Sequence, residues 1–141
     1  MAQLQLEIIT PNKISYKGDV QAVTVPGTLG SFQILYNHAP IISTFEIGVI
    51  KVEISNNEKI FFATSGGTVE VVNNNIRILA DSLEAVESID LDRAKRALER
   101  ANQRLAEKGS GNIDVKRAEA ALARAMNRIK LVEKFSTTGV L

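Results

Sequence analysis

The hydropathy period of this chain changes once, near Ser88, and that switch restricts it to a strand-built body followed by a helical arm. Up to about residue 82, apolar and polar residues alternate, as in Leu4-Gln5-Leu6-Glu7-Ile8, Val20-Gln21-Ala22-Val23-Thr24-Val25 and Val49-Ile50-Lys51-Val52-Glu53-Ile54. Successive side chains of a strand point to opposite faces, so a period of two means strands with one buried face. Thr10-Pro11-Asn12, Pro26-Gly27, Ser55-Asn56-Asn57-Glu58, Ser65-Gly66-Gly67 and Asn73-Asn74-Asn75 punctuate the runs. The spacing predicts about eight to ten strands in a β-sandwich.

Beyond Ser88, Leu91, Ala94, Leu98, Ala101 and Leu105 recur at three- and four-residue steps, as do Val115, Ala118, Leu122, Ala125, Ile129 and Val132. These are the apolar stripes of two amphipathic helices. Asp90 and Asp114 open them alike, in Ile89-Asp90-x-x-Arg93-Ala94 and Ile113-Asp114-x-x-Arg117-Ala118, and each can accept from the backbone N–H groups of a first turn. Gly109 fits the position just past the first helix, and the short link predicts an antiparallel hairpin. The expected class is α+β: a sandwich over residues 1–86 and a helical hairpin with a short tail over residues 87–141. An alanine-rich seam forgoes roughly 2 kcal/mol of burial per Leu replaced. The arm is therefore expected to be marginal alone and able to switch between folded and extended forms.

With 45% hydrophobic and 23% charged residues, the 141-residue chain can bury a core. It has no cysteine, which removes disulfides and thiolate metal sites. The N-terminus has no basic region followed by an apolar one, and no stretch reaches the roughly 20 apolar residues of a membrane span, so direct membrane insertion is not expected. Residues 90 to 134 hold 12 of the 17 Lys and Arg and 7 of the 16 acidic residues, leaving that segment at +5 and the rest at −4. A basic arm on a mildly acidic body suits an anionic partner.

Catalytic candidates are wanting. His38 is the sole histidine, without a second His or Cys for a metal site, and reads as structural or interfacial. Ser65-Gly66-Gly67 lacks phosphate-loop spacing and reads as a tight turn. No nucleophile and base can be paired, so no catalytic residue is assigned. A nucleic-acid-binding module with a basic arm is the main alternative, but it calls for aromatic stacking platforms. Aromatics are 5% of the chain, Trp is absent, and neither Tyr36 nor Phe61-Phe62 lies in the basic segment.

Four segments carry a resemblance over essentially the whole length: Leu6-Glu7-Ile8-Ile9-Thr10-Pro11; Gly30-Ser31-Phe32-Gln33-Ile34-Leu35-Tyr36-Asn37-His38-Ala39-Pro40; Ala63 to Val71 with Asn75 to Ala80; and the arm, with Ile89-Asp90-Leu91-Asp92-Arg93-Ala94 and Arg124-Ala125-Met126-Asn127-Arg128. Together they resemble the epsilon subunit of F-type ATP synthases, whose second segment reads G-E-L-G-I-L-P-G-H-A-P. Gln33 and Tyr36 stand where that family has a glycine and a proline.

The resemblance implies a non-catalytic rotor subunit bound to the gamma subunit, its sandwich touching the ring of c subunits, with Gly30, Ser31, Phe32 and His38 at that contact. It implies an arm that extends toward the alpha and beta subunits and impedes hydrolysis, and a peripheral location on the cytoplasmic side of a bacterial inner membrane. No cofactor is required, and nucleic acid is not among the expected partners. Some bacterial members bind regulatory ATP on the folded arm, and that pattern maps onto Glu84, Asp90, Arg93, Arg100, Arg124 and Arg128. Arginine guanidinium groups suit bidentate phosphate contacts. The plain alternative for these arginines is a solvated helix face with intrahelical pairs such as Glu99 with Arg96 and Asp90 with Arg93.

Overall fold

The computed structural model describes residues 3–107 and 114–135. The expected roles of Gly109 and Ile113 therefore lie outside the described residues. The chain divides into two compact units, Met1–Ala85 and Val86–Leu141.

The first unit holds ten strands: β1 (Leu4–Thr10), β2 (Lys13–Val20), β3 (Ala22–Val25), β4 (Phe32–Ile34), β5 (Ile41–Phe45), β6 (Gly48–Ser55), β7 (Glu58–Thr64), β8 (Gly67–Val72), β9 (Asn75–Ala80) and β10 (Leu83–Ala85). They form two five-stranded sheets, in the orders β2-β1-β9-β8-β5 and β10-β7-β6-β3-β4. Every named pairing is antiparallel except β1 with β9, which is parallel.

The alternation seen in the sequence sets the layers. Leu4, Leu6 and Ile8 of β1, Val69 and Val71 of β8, and Ile76 and Ile78 of β9 are buried in one cluster with Val23, Val25, Ile34, Ile50, Val52 and Phe62 of the other sheet. Fully burying each such side chain stabilises by about 1.5–3 kcal/mol, which makes the inter-sheet layer the main source of stability. Tyr16 closes one side of it, edge-on to Phe62 with ring centroids 6.4 Å apart. The outer face of the first sheet carries a registered charge row. Lys17 pairs with Glu7, Glu7 with Arg77, and Arg77 with Glu70, and Arg77 Nε lies 3.4 Å from Glu7 Oε1.

Two turns place the loops. Val72 and Asn75 are joined through Asn73 and Asn74 with φ of 49° and 62°, the doubly left-handed turn that matches strand twist in a two-residue hairpin. Ser65-Gly66 carries the chain from β7 in one sheet to β8 in the other, so this turn is an inter-sheet corner rather than a hairpin. Buried Thr64 holds it: its Oγ1 donates to the Ser82 carbonyl at 2.9 Å and accepts from the Gly66 N–H at 3.2 Å. Gly67, at φ of +155°, leaves no room for a Cβ, which would strike the Leu79 carbonyl.

The second unit opens with a 3₁₀ turn (Val86–Ser88), whose buried Val86 belongs to a turn packed on α2, and continues with α1 (Leu91–Ala106) and α2 (Val115–Phe135). The Asp90 carboxylate accepts the Arg93 N–H at 3.0 Å and Asp114 accepts the Arg117 N–H at 3.1 Å, so both expected caps form. The helices pack along each other, and so short a link makes them antiparallel. The buried residues of α1 are Ala94 and Ala101; those of α2 are Ala118, Ala125, Leu131 and Val132. Leu91, Leu98, Leu105, Leu122 and Ile129 of the expected stripes are only half-buried. Alanine thus occupies the line of closest approach, where a larger side chain would hold the backbones apart.

Candidate functional site

Two groups of residues carry the functional question, and each is positioned by the fold around it. On the arm, Arg93 and Arg100 each precede a buried alanine of α1 by one position, and Arg124 precedes buried Ala125 of α2. One residue turns a helix through about 100°. In an antiparallel pair, positions just before the seam on both helices therefore point to the same broad face. Arg128, one turn beyond Arg124, shares it. The opposite face is apolar: Leu98, Met126 and Ile129 line a shallow groove there with Lys130, Glu133 and Lys134.

Arg93 and Arg100 are exposed, while Arg124 and Arg128 are half-buried. The intrahelical pairs Glu99 with Arg96 and Asp90 with Arg93 make no ion pair among the described residues, and the Asp90 carboxylate is instead engaged as a helix cap. Its negative charge at a helix N-terminus is favourable for the same reason that the cap is. Glu84 lies on β10, opposite Ala63 of β7, and so belongs to the first unit. Four arginines thus converge on one face, Asp90 sits at the start of α1, and Glu84 comes from the other unit.

On the sandwich, the expected contact residues separate. Gly30 and Ser31 precede β4 and His38 follows it, at opposite ends of the strand. Gly30, at φ of +128°, and Ser31 are exposed, and Phe32 packs against the core. Thr28 Oγ1 ties the first loop to Thr44 Oγ1 at 2.8 Å. Beyond β4, the His38 N–H donates to the Leu35 carbonyl at 3.1 Å and closes a turn, while His38 Nδ1 meets the Ala39 carbonyl at 2.7 Å. Asn37, at φ of 64°, takes the place of the third glycine of the family stretch. Asparagine is among the few residues that tolerate that conformation.

Sequence reasoning passed over the exposed apolar residues of these loops: Leu29 at one end, Leu35 and Tyr36 at the other. Their signal was present, since an apolar residue among turn formers gains nothing from the core. Among the described residues no cluster suited to a metal ion occurs, and no helix is long and apolar enough to cross a membrane.

The comparisons bear on both units. Residues 3–86 match the family model for the ATP synthase delta/epsilon chain β-sandwich domain, and residues 87–133 match the model for its long α-helix domain. The ATP synthase epsilon chain of Desulforamulus reducens is 45% identical over 136 residues, covering 94% of this chain and 100% of the relative. The chain belongs to the ATP synthase epsilon chain family. As an epsilon chain it is a non-catalytic subunit of ATP synthase. The epsilon chain of Desulfitobacterium hafniense strain Y51 is 49% identical over 125 residues, covering 88% of this chain and 92% of the relative. Among solved structures, a chain of the Euglena gracilis mitochondrial ATP synthase, described as OSCP/F1/c-ring, is similar with a TM-score of 0.68 at 22% identity, covering 96% of this chain and 81% of that one. A chain of the Tetrahymena thermophila mitochondrial enzyme, described as central stalk/c-ring, gives 0.56 at 19% identity over 95% and 96%. At those identities the likeness is one of fold.

Proposed function

We propose that this epsilon chain is a central-stalk subunit that couples the catalytic head to the c-ring and restrains ATP hydrolysis through its helical arm. The observation that carries this reading is the family match over both units in order, sandwich then arm, in relatives aligned along nearly their whole length. The similar folds found in structures described as c-ring and central stalk support the placement. The sandwich binds the gamma subunit and touches the ring, with the Leu29-Gly30-Ser31 loop as the ring contact. The arm, at +5 over residues 90 to 134, docks on acidic surface of the alpha and beta subunits when extended. The subunit sits peripherally on the cytoplasmic face of a bacterial membrane.

ATP is the regulatory ligand of the folded arm. Arg93, Arg100, Arg124 and Arg128 share one face, and guanidinium forks on facing helices can grip a triphosphate from two sides. Ligand bound only to the folded arm stabilises that form by mass action, so abundant ATP relieves inhibition. Isothermal titration tests this: ATP binds the parent chain and not the Arg93→Ala/Arg124→Ala variant. Absence of binding to the parent at millimolar ATP would remove the nucleotide from the account and leave the arm to its protein partners. Co-elution with the gamma subunit tests the stalk reading, and failure to co-elute would reject it.

A further inference from the structure

The loop after β4 is locked by an unusual partner. Its Asn37 N–H donates to Asn74 Oδ1 at 2.6 Å, and Asn74 Nδ2 donates back to Asn37 Oδ1 at 3.1 Å, across 37 residues of sequence. Asn74 is itself held from behind, because its carbonyl accepts the Gln5 N–H at 2.9 Å at the start of β1. The loop is thereby tied through one side chain to the first sheet. Both asparagines have positive φ, 64° and 62°, so glycine would meet the backbone demand at either position at least as well. Glycine at position 74 would in fact complete the preferred Asn-Gly turn. What asparagine adds is the amide, and each amide is spent on the other.

The consequence falls on the two residues just before Asn37. Leu35 and Tyr36 are 51% and 46% exposed, with the Leu35 carbonyl closing the turn on His38. Two exposed apolar side chains on a loop cost binding affinity if the loop must be ordered on contact, and a clasp removes that cost beforehand.

We infer that Asn37 and Asn74 form a positioning clasp that presents Leu35 and Tyr36 as a preformed contact for the gamma subunit. The inference rests on the stalk function proposed above. The gamma subunit is the partner because the loop lies at the other end of β4 from Gly30 and Ser31, the loop assigned to the ring, and a subunit held between two partners needs a contact at each end.

Asn74→Gly removes both side-chain bonds while keeping the turn, and Asn37→Gly removes one, since its backbone N–H still reaches Asn74. In the isolated chain, Asn74→Gly makes the Asn37 amide exchange roughly fivefold faster, the scale of one net hydrogen bond, with the amides of β1 and β9 unchanged. Asn37→Gly has the smaller effect. Against an F1 sector stripped of its own epsilon chain, Asn74→Gly weakens binding about fivefold, and Tyr36→Ala weakens it roughly tenfold or more, as loss of an aromatic anchor does. Unchanged exchange at Asn37 would overturn the clasp. Faster exchange with unchanged affinity would overturn its positioning role. An unaffected Tyr36→Ala variant would overturn the loop as a gamma contact, and failure of the parent chain to bind F1 would instead reject the stalk reading beneath it.

Discussion

Replacing Ala125 by leucine should open the arm. Ala125 is 0% exposed, and Ala94, Ala101 and Ala118 are at most 4% exposed, on helices packed along each other. Leucine adds an isopropyl group's volume at the line where the helices come closest. If a vacancy were waiting, burial of the added carbons would stabilise the hairpin by about 2.4 kcal/mol at about 0.8 kcal/mol per carbon. A close-packed seam offers none, and overpacking costs about 1–3 kcal/mol, so the open form gains roughly 5- to 150-fold. Ala123→Leu is the control, because Ala123 is exposed on the same helix and the two residues differ little in helix propensity. The chain lacks cysteine, so spin labels at Glu99→Cys and Glu119→Cys, both exposed positions on opposite helices, report the separation without background. The Ala125→Leu variant should show a longer or broader distance distribution and faster amide exchange in α1. Identical behaviour of the two leucine variants would refute the claim that alanine is required at the seam.

Asp90→Ala removes the cap on the Arg93 N–H and should destabilise the arm by about 1 kcal/mol, read as faster exchange in the first turn of α1. Ile78→Ala empties a fully buried position between the sheets and should cost about 2–5 kcal/mol in urea denaturation of the sandwich. Tyr16 has its pKa raised above 10.0, first by burial and then by Glu58 and Asp19. Its folded-state value exceeds the unfolded one, so its contribution is fully present below pH 10 and is lost as pH rises through the folded value. Tyr16→Phe should flatten the alkaline fall in thermal stability, and an unaltered profile would contradict the assignment.

Much of this architecture was legible because burial and period coincide. In β8 and β9, alternate residues face the core, so Val69, Val71, Ile76 and Ile78 declare the strands. The caps were legible because Asp90 and Asp114 act within their own first turns. Partners distant in sequence were not. Nothing local says that β1 pairs in parallel with β9, or that Ser65-Gly66 joins two sheets rather than one hairpin. The arm shows a subtler limit. A stripe counts apolar residues equally, yet contact distance selects the small ones, so alanines are buried while Leu91, Leu98 and Leu105 remain half-exposed. The arginine face was visible as spacing, whereas the separation of Gly30 and Ser31 from His38 needed the strand between them.

The central claim is that this chain makes a rotary ATP synthase couple, and reconstitution tests it most directly. A bacterial proton-translocating enzyme depleted of its own epsilon chain is supplied with this protein, and hydrolysis and ATP-driven proton pumping are followed together. The account predicts that pumping is restored while hydrolysis slows, and that slowing weakens as ATP rises. Restored hydrolysis control without pumping, or no effect on either, would contradict it.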